Sequence, residues 1–233
     1  GDTFAVNING SVNLLDAVRN IGIDPMIHMC SSAEVYGQVD ETMIPITENT
    51  PFNPASPYAV SKVGQDLLGS QYHITYGMKI IRTRMFTHSG PRRGDFFAES
   101  AFAKQIAEIE LGVIPNPVKV GNLESIRTYA DVRDAVRAYW VLLEHCTLGA
   151  VYNIGGERTL SIGEMFDILK SLAKVPIEYA VDPKLLRPAD VTLQIPESGK
   201  FNDKTGWKPV YSLETTLEDL LNYHRERTKM RMQ

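Results

Sequence analysis

Cysteine is scarce in this 233-residue chain: there are two, Cys30 and Cys146, far apart and in no CxxC or zinc-binding pattern. A disulfide framework and a thiolate metal site are thereby excluded, no metal ligand set is expected, and the usage fits a reduced, cytoplasmic setting. No basic block occurs and the net charge is −4, which argues against nucleic acid as a partner. No apolar run approaches the length of a membrane span, and no segment has the layout of a signal peptide. Internal repeats, low-complexity tracts and flexible linkers are also missing. So is a glycine-rich turn between a strand and a helix; Gly155-Gly156 follows a late apolar run and stands outside that context.

What is present is ordinary for a soluble globular enzyme: 43% hydrophobic and 22% charged residues, in a length that suits one large domain or two small ones. Apolar residues at helical spacing (Phe4, Ile8, Val12, Leu15, Val18) predict a helix over 3–21, capped by Gly22. A short apolar run at 26–30 reads as a strand, and a long Pro-rich loop covers 38–57. Ser56-Pro57 opens a helix predicted to run to about Tyr76. Strands at 79–86, 118–120, 150–154 and 177–181 alternate with helices at 97–111, 131–144, 161–172 and 213–225. That alternation predicts an α/β fold with a doubly wound parallel sheet.

The chemistry concentrates between Cys30 and Lys62. The strand at 26–30 delivers Ser31 and Ser32 at its carboxyl end, where parallel sheets gather ligands, and Glu34 lies just beyond. Tyr58 and Lys62 stand one helical turn apart and share a face. An ammonium near a phenol stabilises the phenolate, so the pair is a plausible general acid/base. YxxxK alone is common on ordinary helices, and the preceding strand end is what makes the pair a candidate site. Glu34 beside a phenol suggests two proton transfers on one substrate, or a simple turn cap. Arg92 and Arg93 follow another strand end, where phosphate would lie, although adjacent arginines usually mark a solvated loop.

Five segments in order, SSAEVYG, SPYAVSK, PRRG, VGNLESIR and LRPADV, with GWKP at Gly206–Pro209, resemble the extended short-chain dehydrogenase/reductases. The chain looks most like the GDP-mannose 4,6-dehydratase branch and its neighbour, the GDP-4-keto-6-deoxymannose reductases. The resemblance implies a Rossmann-type nucleotide domain over 1–95, to which about 128–155 returns, and a small α/β substrate domain over 96–233. It implies a catalytic set of Ser32, Glu34, Tyr58 and Lys62. Ser31, Tyr58, Lys62, His88 and Arg93 are the implied contacts to NADP, with NAD as the alternative. Thr87, Lys104, Arg127, Arg187 and Asp190 are implied near a GDP-sugar. A homodimer or tetramer is expected, built on the first helix and the Tyr58 helix. The leading expectation is dehydration of GDP-mannose; reduction of the 4-keto sugar or another epimerase or dehydratase reaction is the alternative. An inactive fragment or a non-catalytic cofactor-binding module is the second.

Three departures stand out. The family begins with a strand and GxxGxxG, and nothing here matches, so the chain reads as lacking the N-terminal part of a longer enzyme. A fragment of that kind is expected to leave the edge beside 26–30 uncovered, to need another chain there, and to bind NADP weakly. Thr87 stands where the family has Asn, and Thr128 stands where it has an acid, leaving room for an altered substrate preference.

Overall fold

The computed structural model describes residues 2–186 and 191–233. The chain opens on helical backbone: α1 (Asp2–Phe4), a π-helical stretch at Ala5–Asn9, then α2 (Gly10–Ile21). Gly22 ends it at φ 77°, a left-handed conformation that glycine adopts without strain. β1 (Ile27–Cys30) is followed by a single 3₁₀ turn at Ala33–Tyr36. α3 (Pro57–Tyr76) begins as its sequence dictates: Ser56 accepts from the Ala59 amide, and Pro57, with no N–H to satisfy, fills the first turn.

β2 (Ile80–Met85) and β6 (Val151–Ile154) complete a parallel sheet in the order β1-β2-β6. Successive residues of β2 serve opposite faces. Ile80 packs with Leu15, Met29 and Tyr72, beneath α2 and α3. Ile81 and Met85 pack with Ala135, Ala138 and Leu142 of α5 (Val132–His145), and with Phe201 and Trp207. Helices on both faces of a parallel sheet make this the Rossmann-like, doubly wound half of an α/β fold.

A second core lies beyond it. α4 (Ala98–Glu110), α6 (Ile162–Ser171) and α8 (Leu213–Met232) enclose Phe102, Ile106, Phe166, Leu169, Leu217 and Leu220. β4 (Val118–Val120) pairs in parallel with β8 (Tyr179–Val181). β5 (Ile126–Asp131) pairs in parallel with β3 (His88–Ser89) and β9 (Leu193–Gln194), and antiparallel with β7 (Arg158–Ser161). Arg225 of α8 and Glu110 of α4 meet through two hydrogen bonds of 2.6 and 2.7 Å. β5, β7 and α7 (Gly199–Thr205) carry no periodic pattern that announces them, and α8 runs past the expected end near Arg225 to Met232.

The long loop at 38–57 is held by a buried polar network. Asp66 receives Arg82 at 2.9 Å and both ends of the Arg84 guanidinium at 2.8 and 3.2 Å. Arg84 also donates to the Tyr36 hydroxyl and the Glu48 carbonyl, each at 2.9 Å. Tyr36 donates in turn to Asn153 on β6 at 2.7 Å. Burial alone would lower the Arg84 pKa, yet its bonds to Asp66 raise it. The network fixes the turn at 33–36 against the sheet, and that turn carries Glu34.

Candidate active site

The carboxyl ends of β1 and β2 open into a cleft of about 920 Å³, closed on its far side by α4 and β5. Ser32, Glu34 and Tyr58 line its floor, and Thr87, His88, Arg93 and Arg127 line its walls. A backbone reason stands behind each placement. Ser32 caps the 3₁₀ turn, accepting from the Glu34 amide at 3.2 Å, so serine and glutamate are set together. Tyr58 is in the first turn of α3, directed by the Ser56-Pro57 cap.

Tyr58 hydrogen-bonds Ser32, and partial burial pushes its phenol above the ordinary value; the Ser32 bond and Arg93 oppose that push, while Glu34 adds to it. The phenol is therefore protonated at neutral pH. The four-residue spacing predicts that Lys62 lowers the phenol's pKa, and the structure corrects this. The Lys62 ammonium bonds the Cys30 carbonyl at 2.8 Å and Gln65 Oε1 at 2.7 Å, and sits 5.9 Å from the centre of the Tyr58 ring. The backbone carbonyl at the end of β1 and the amide of Gln65 take the charge that was expected to face the phenol. Lys62 and Ser31 do not line this cleft; Lys62 is partly exposed beside it, and the Ser31 hydroxyl donates to the Lys62 carbonyl at 3.3 Å.

Arg93 is clamped. Its Nε donates to Glu99 at 3.1 Å, and its guanidinium stacks 3.3 Å over the Phe97 ring. Ser100 ties the Arg93 carbonyl down at 2.8 Å. His88 donates from Nδ1 to the Phe86 carbonyl at 3.2 Å, and burial pushes its pKa down, so the ring is neutral with Nε2 as an acceptor. Arg127 donates to the carbonyls of Ile126 and Val191. Lys104 is not in the cleft wall; its ammonium pairs with Asp95 at 3.2 Å. Arg187 and Asp190 lie outside the described residues. Among the described residues no cluster of three or more His, Cys, Asp or Glu is placed to hold a metal, and no helix is long and apolar enough to cross a membrane.

Four residues at the site carry no motif: Gln65 behind Lys62, Glu99 and Phe97 around Arg93, and Gln194, whose Nε2 donates to Glu34 Oε1 at 3.0 Å. Only Gln65 left a trace in the sequence, one helical turn beyond Lys62 on the same face.

A family model described as GDP-mannose 4,6 dehydratase matches residues 1–220. The chain belongs to this family. A GDP-6-deoxy-D-mannose reductase of Pseudomonas aeruginosa is 36% identical over 220 residues, covering 94% of this chain and 72% of that protein. A GDP-mannose 4,6-dehydratase of Yersinia enterocolitica is 30% identical, covering 94% of this chain and 66% of that protein. Among solved structures, RMD of Pseudomonas aeruginosa complexed with NADPH superposes with a TM-score of 0.91 at 34% identity, over 96% of this chain and 74% of that one. A dTDP-glucose 4,6-dehydratase of Bacillus anthracis in complex with NAD gives 0.81 at 26% identity, over 97% and 70%.

Within the family pattern, the Thr128 departure leaves the cleft untouched. Thr128 is buried and pairs with Thr159 across β5 and β7 at 2.7 Å, outside the cleft wall. Thr87 does line the cleft. Gly155-Gly156 has a packing role: a Cβ on Gly156 would lie 1.7 Å from the Tyr129 carbonyl oxygen, so the β6–β7 turn can pass β5 only as glycine.

Proposed function

We propose that this chain carries the proton-transfer centre of an NADP-dependent GDP-sugar oxidoreductase and acts as a GDP-4-keto-6-deoxymannose reductase. The observation that carries the reading is the placement of Tyr58, hydrogen-bonded to Ser32 on the cleft floor, where both hydroxyls can meet one carbonyl oxygen. Reduction of a 4-keto group needs one proton, delivered to the carbonyl oxygen, and a neutral phenol is the form that gives it. Ser32 orients that oxygen by a second hydrogen bond. Glu34 is held by Gln194 and, on this reading, positions the sugar. The 36% identity to a reductase and the superposition on RMD with NADPH support the same choice.

The nicotinamide dinucleotide supplies the hydride when bound. The residues present suit it: Arg93 is stacked and clamped for a phosphate, and the Lys62 ammonium spends two of its three N–H groups on protein acceptors among the described residues, leaving a third for a ribose hydroxyl. The substrate domain expected over 96–233 contributes Arg127 to the same cleft.

Dehydration of GDP-mannose is the second reading, favoured by the family model and by Glu34 in the cleft as a base for C5. Turnover separates the two. A reductase consumes one NADPH per 4-keto sugar and leaves GDP-mannose untouched. Conversion of GDP-mannose to the 4-keto sugar without net loss of NADPH would overturn the reductase assignment.

Self-association belongs to the same reading. Val60, Leu67 and Ile74 form an exposed stripe at seven-residue spacing on α3, and Leu14 and Ile21 do so on α2. Two such stripes from each of two copies make a four-helix contact of the kind apolar heptads favour.

A further inference from the structure

A lysine ammonium has three donors and no acceptor, so its direction is set by what receives them. For Lys62 the receivers are the Cys30 carbonyl and Gln65 Oε1. The other end of Gln65, Nε2, donates to Ser11 Oγ of α2 at 2.9 Å. Ser11 is buried, and its single hydroxyl proton is committed to the Asn7 carbonyl at 2.7 Å. An oxygen whose proton is committed can only accept. Nε2 of Gln65 must therefore face Ser11, and Oε1 must face Lys62. The neighbouring branch of the network runs from Asn7 Nδ2 to Ser61 Oγ at 2.9 Å, and from Ser61 Oγ to the Tyr58 carbonyl at 2.7 Å. The N-terminal helical segment thus grips the turn of α3 that carries both Tyr58 and Lys62.

We propose that Gln65 is a positioning residue for Lys62: its carboxamide, oriented by Ser11, fixes the direction of the ammonium beside Tyr58. This rests on reading Tyr58 and Lys62 as the working pair. An aspartate or glutamate at this point would hold the ammonium more tightly but would neutralise it. A carboxamide directs the charge and leaves it intact.

The groups facing Lys62 are few among the described residues. β1 brings Cys30, whose negative form would raise the Lys62 pKa against the lowering caused by burial; α3 brings Tyr58, and the neutral Ser11 of the N-terminal helical segment acts only through Gln65. Losing Gln65 removes one of two acceptors from a half-buried cation, so the ammonium should ionise more readily. A hydrogen bond to a charged group of this kind corresponds to about one pH unit, a tenfold change in the ionisation constant.

The test is competitive acetylation of the folded 233-residue chain with trace acetic anhydride across a pH series, read by mass spectrometry on the peptide carrying Lys62. Gln65→Leu should lower the Lys62 midpoint by about one unit and Gln65→Glu should raise it. Ser11→Ala, which keeps Gln65 but frees it to rotate, should lower the midpoint by less, and Lys79 serves as the unmoved internal control. An unchanged midpoint in Gln65→Leu overturns the proposal. So does an equal fall in Gln65→Leu and Gln65→Glu, which would mark general loosening of α3. If Gln65→Leu does not fold, Ser11→Ala decides: an unmoved midpoint there rejects the orienting role. Labelling needs no turnover. A wild-type enzyme inert on GDP-sugars would therefore reject the proposed function and leave the labelling result for Gln65 standing. In a turnover-competent enzyme, Gln65→Leu should displace the alkaline limb of kcat/KM in the same direction.

Discussion

Replacing Asp66 with asparagine tests what holds the turn that carries Glu34. Asp66 is fully buried and is the counter-ion for two arginines, with Arg84 itself almost wholly buried. Asp66→Asn keeps the shape and removes the charge. It leaves Arg84 with neutral partners only, the Tyr36 hydroxyl, the Glu48 carbonyl and one amide oxygen. Removing one member of a buried, hydrogen-bonded ion pair costs about 3–5 kcal/mol, because the remaining charge stays desolvated. For a domain of this size, with a urea m-value of about 2.5 kcal/mol/M, that is a fall of about 1.5 M in the unfolding midpoint. Arg82→Met should cost less, about 1–2 kcal/mol, since Arg84 still satisfies both oxygens of Asp66. The assay is urea unfolding followed by tryptophan fluorescence and circular dichroism together, with coincident transitions required. A loss below about 1 kcal/mol for Asp66→Asn at unchanged m-value would refute this reasoning, because the cation would then have found water or another acceptor.

Four further substitutions probe other parts of the molecule. Gly156→Ala should cost about 1–3 kcal/mol or prevent folding, since its Cβ meets the β5 backbone; Gly22→Ala, in open space at φ 77°, should cost only about 1 kcal/mol, and melts of the two compare crowding with strain. His224 is buried against Ser100, and burial pushes its pKa to about 4, against an unfolded value near 6.5. Its folded pKa is depressed, so its contribution is fully present above about pH 6.5 and is lost as pH falls through about 4; His224→Gln should flatten the stability profile across that window in unfolding curves measured at successive pH. Tyr58→Phe should reduce turnover by about 10²–10⁴-fold while the GDP-sugar dissociation constant, measured by calorimetry, moves less than about threefold. Equal losses in both would remove Tyr58 from the chemistry.

What was legible in the sequence is what local chemistry controls. α3 could be read to the residue because Ser56-Pro57 and Gly77 each solve a backbone problem at a helix end. The catalytic candidates were legible because strand β1 ends where serines begin, and the fold places such ends at a cleft. β5 was not legible, because Ile126–Asp131 is covered on both faces and loses the alternation that marks a half-exposed strand; β7, at four residues, is too short to show a period. The partners of the site residues were hidden for a different reason. Glu99 reaches Arg93 around a turn, and Gln194 reaches Glu34 from a strand 160 residues away. The Tyr58–Lys62 pair shows how far spacing carries. Being one turn apart puts two side chains on one face, but it leaves open which acceptor the ammonium chooses. Here a β-strand carbonyl and a glutamine, both good acceptors, compete with a neutral phenol and win. The phenol itself is bonded to Ser32 in its partly buried site, a contact that the four-residue spacing does not announce. Spacing therefore put the two candidates on one face, and the acceptors of the ammonium came from contacts that only the folded chain supplies.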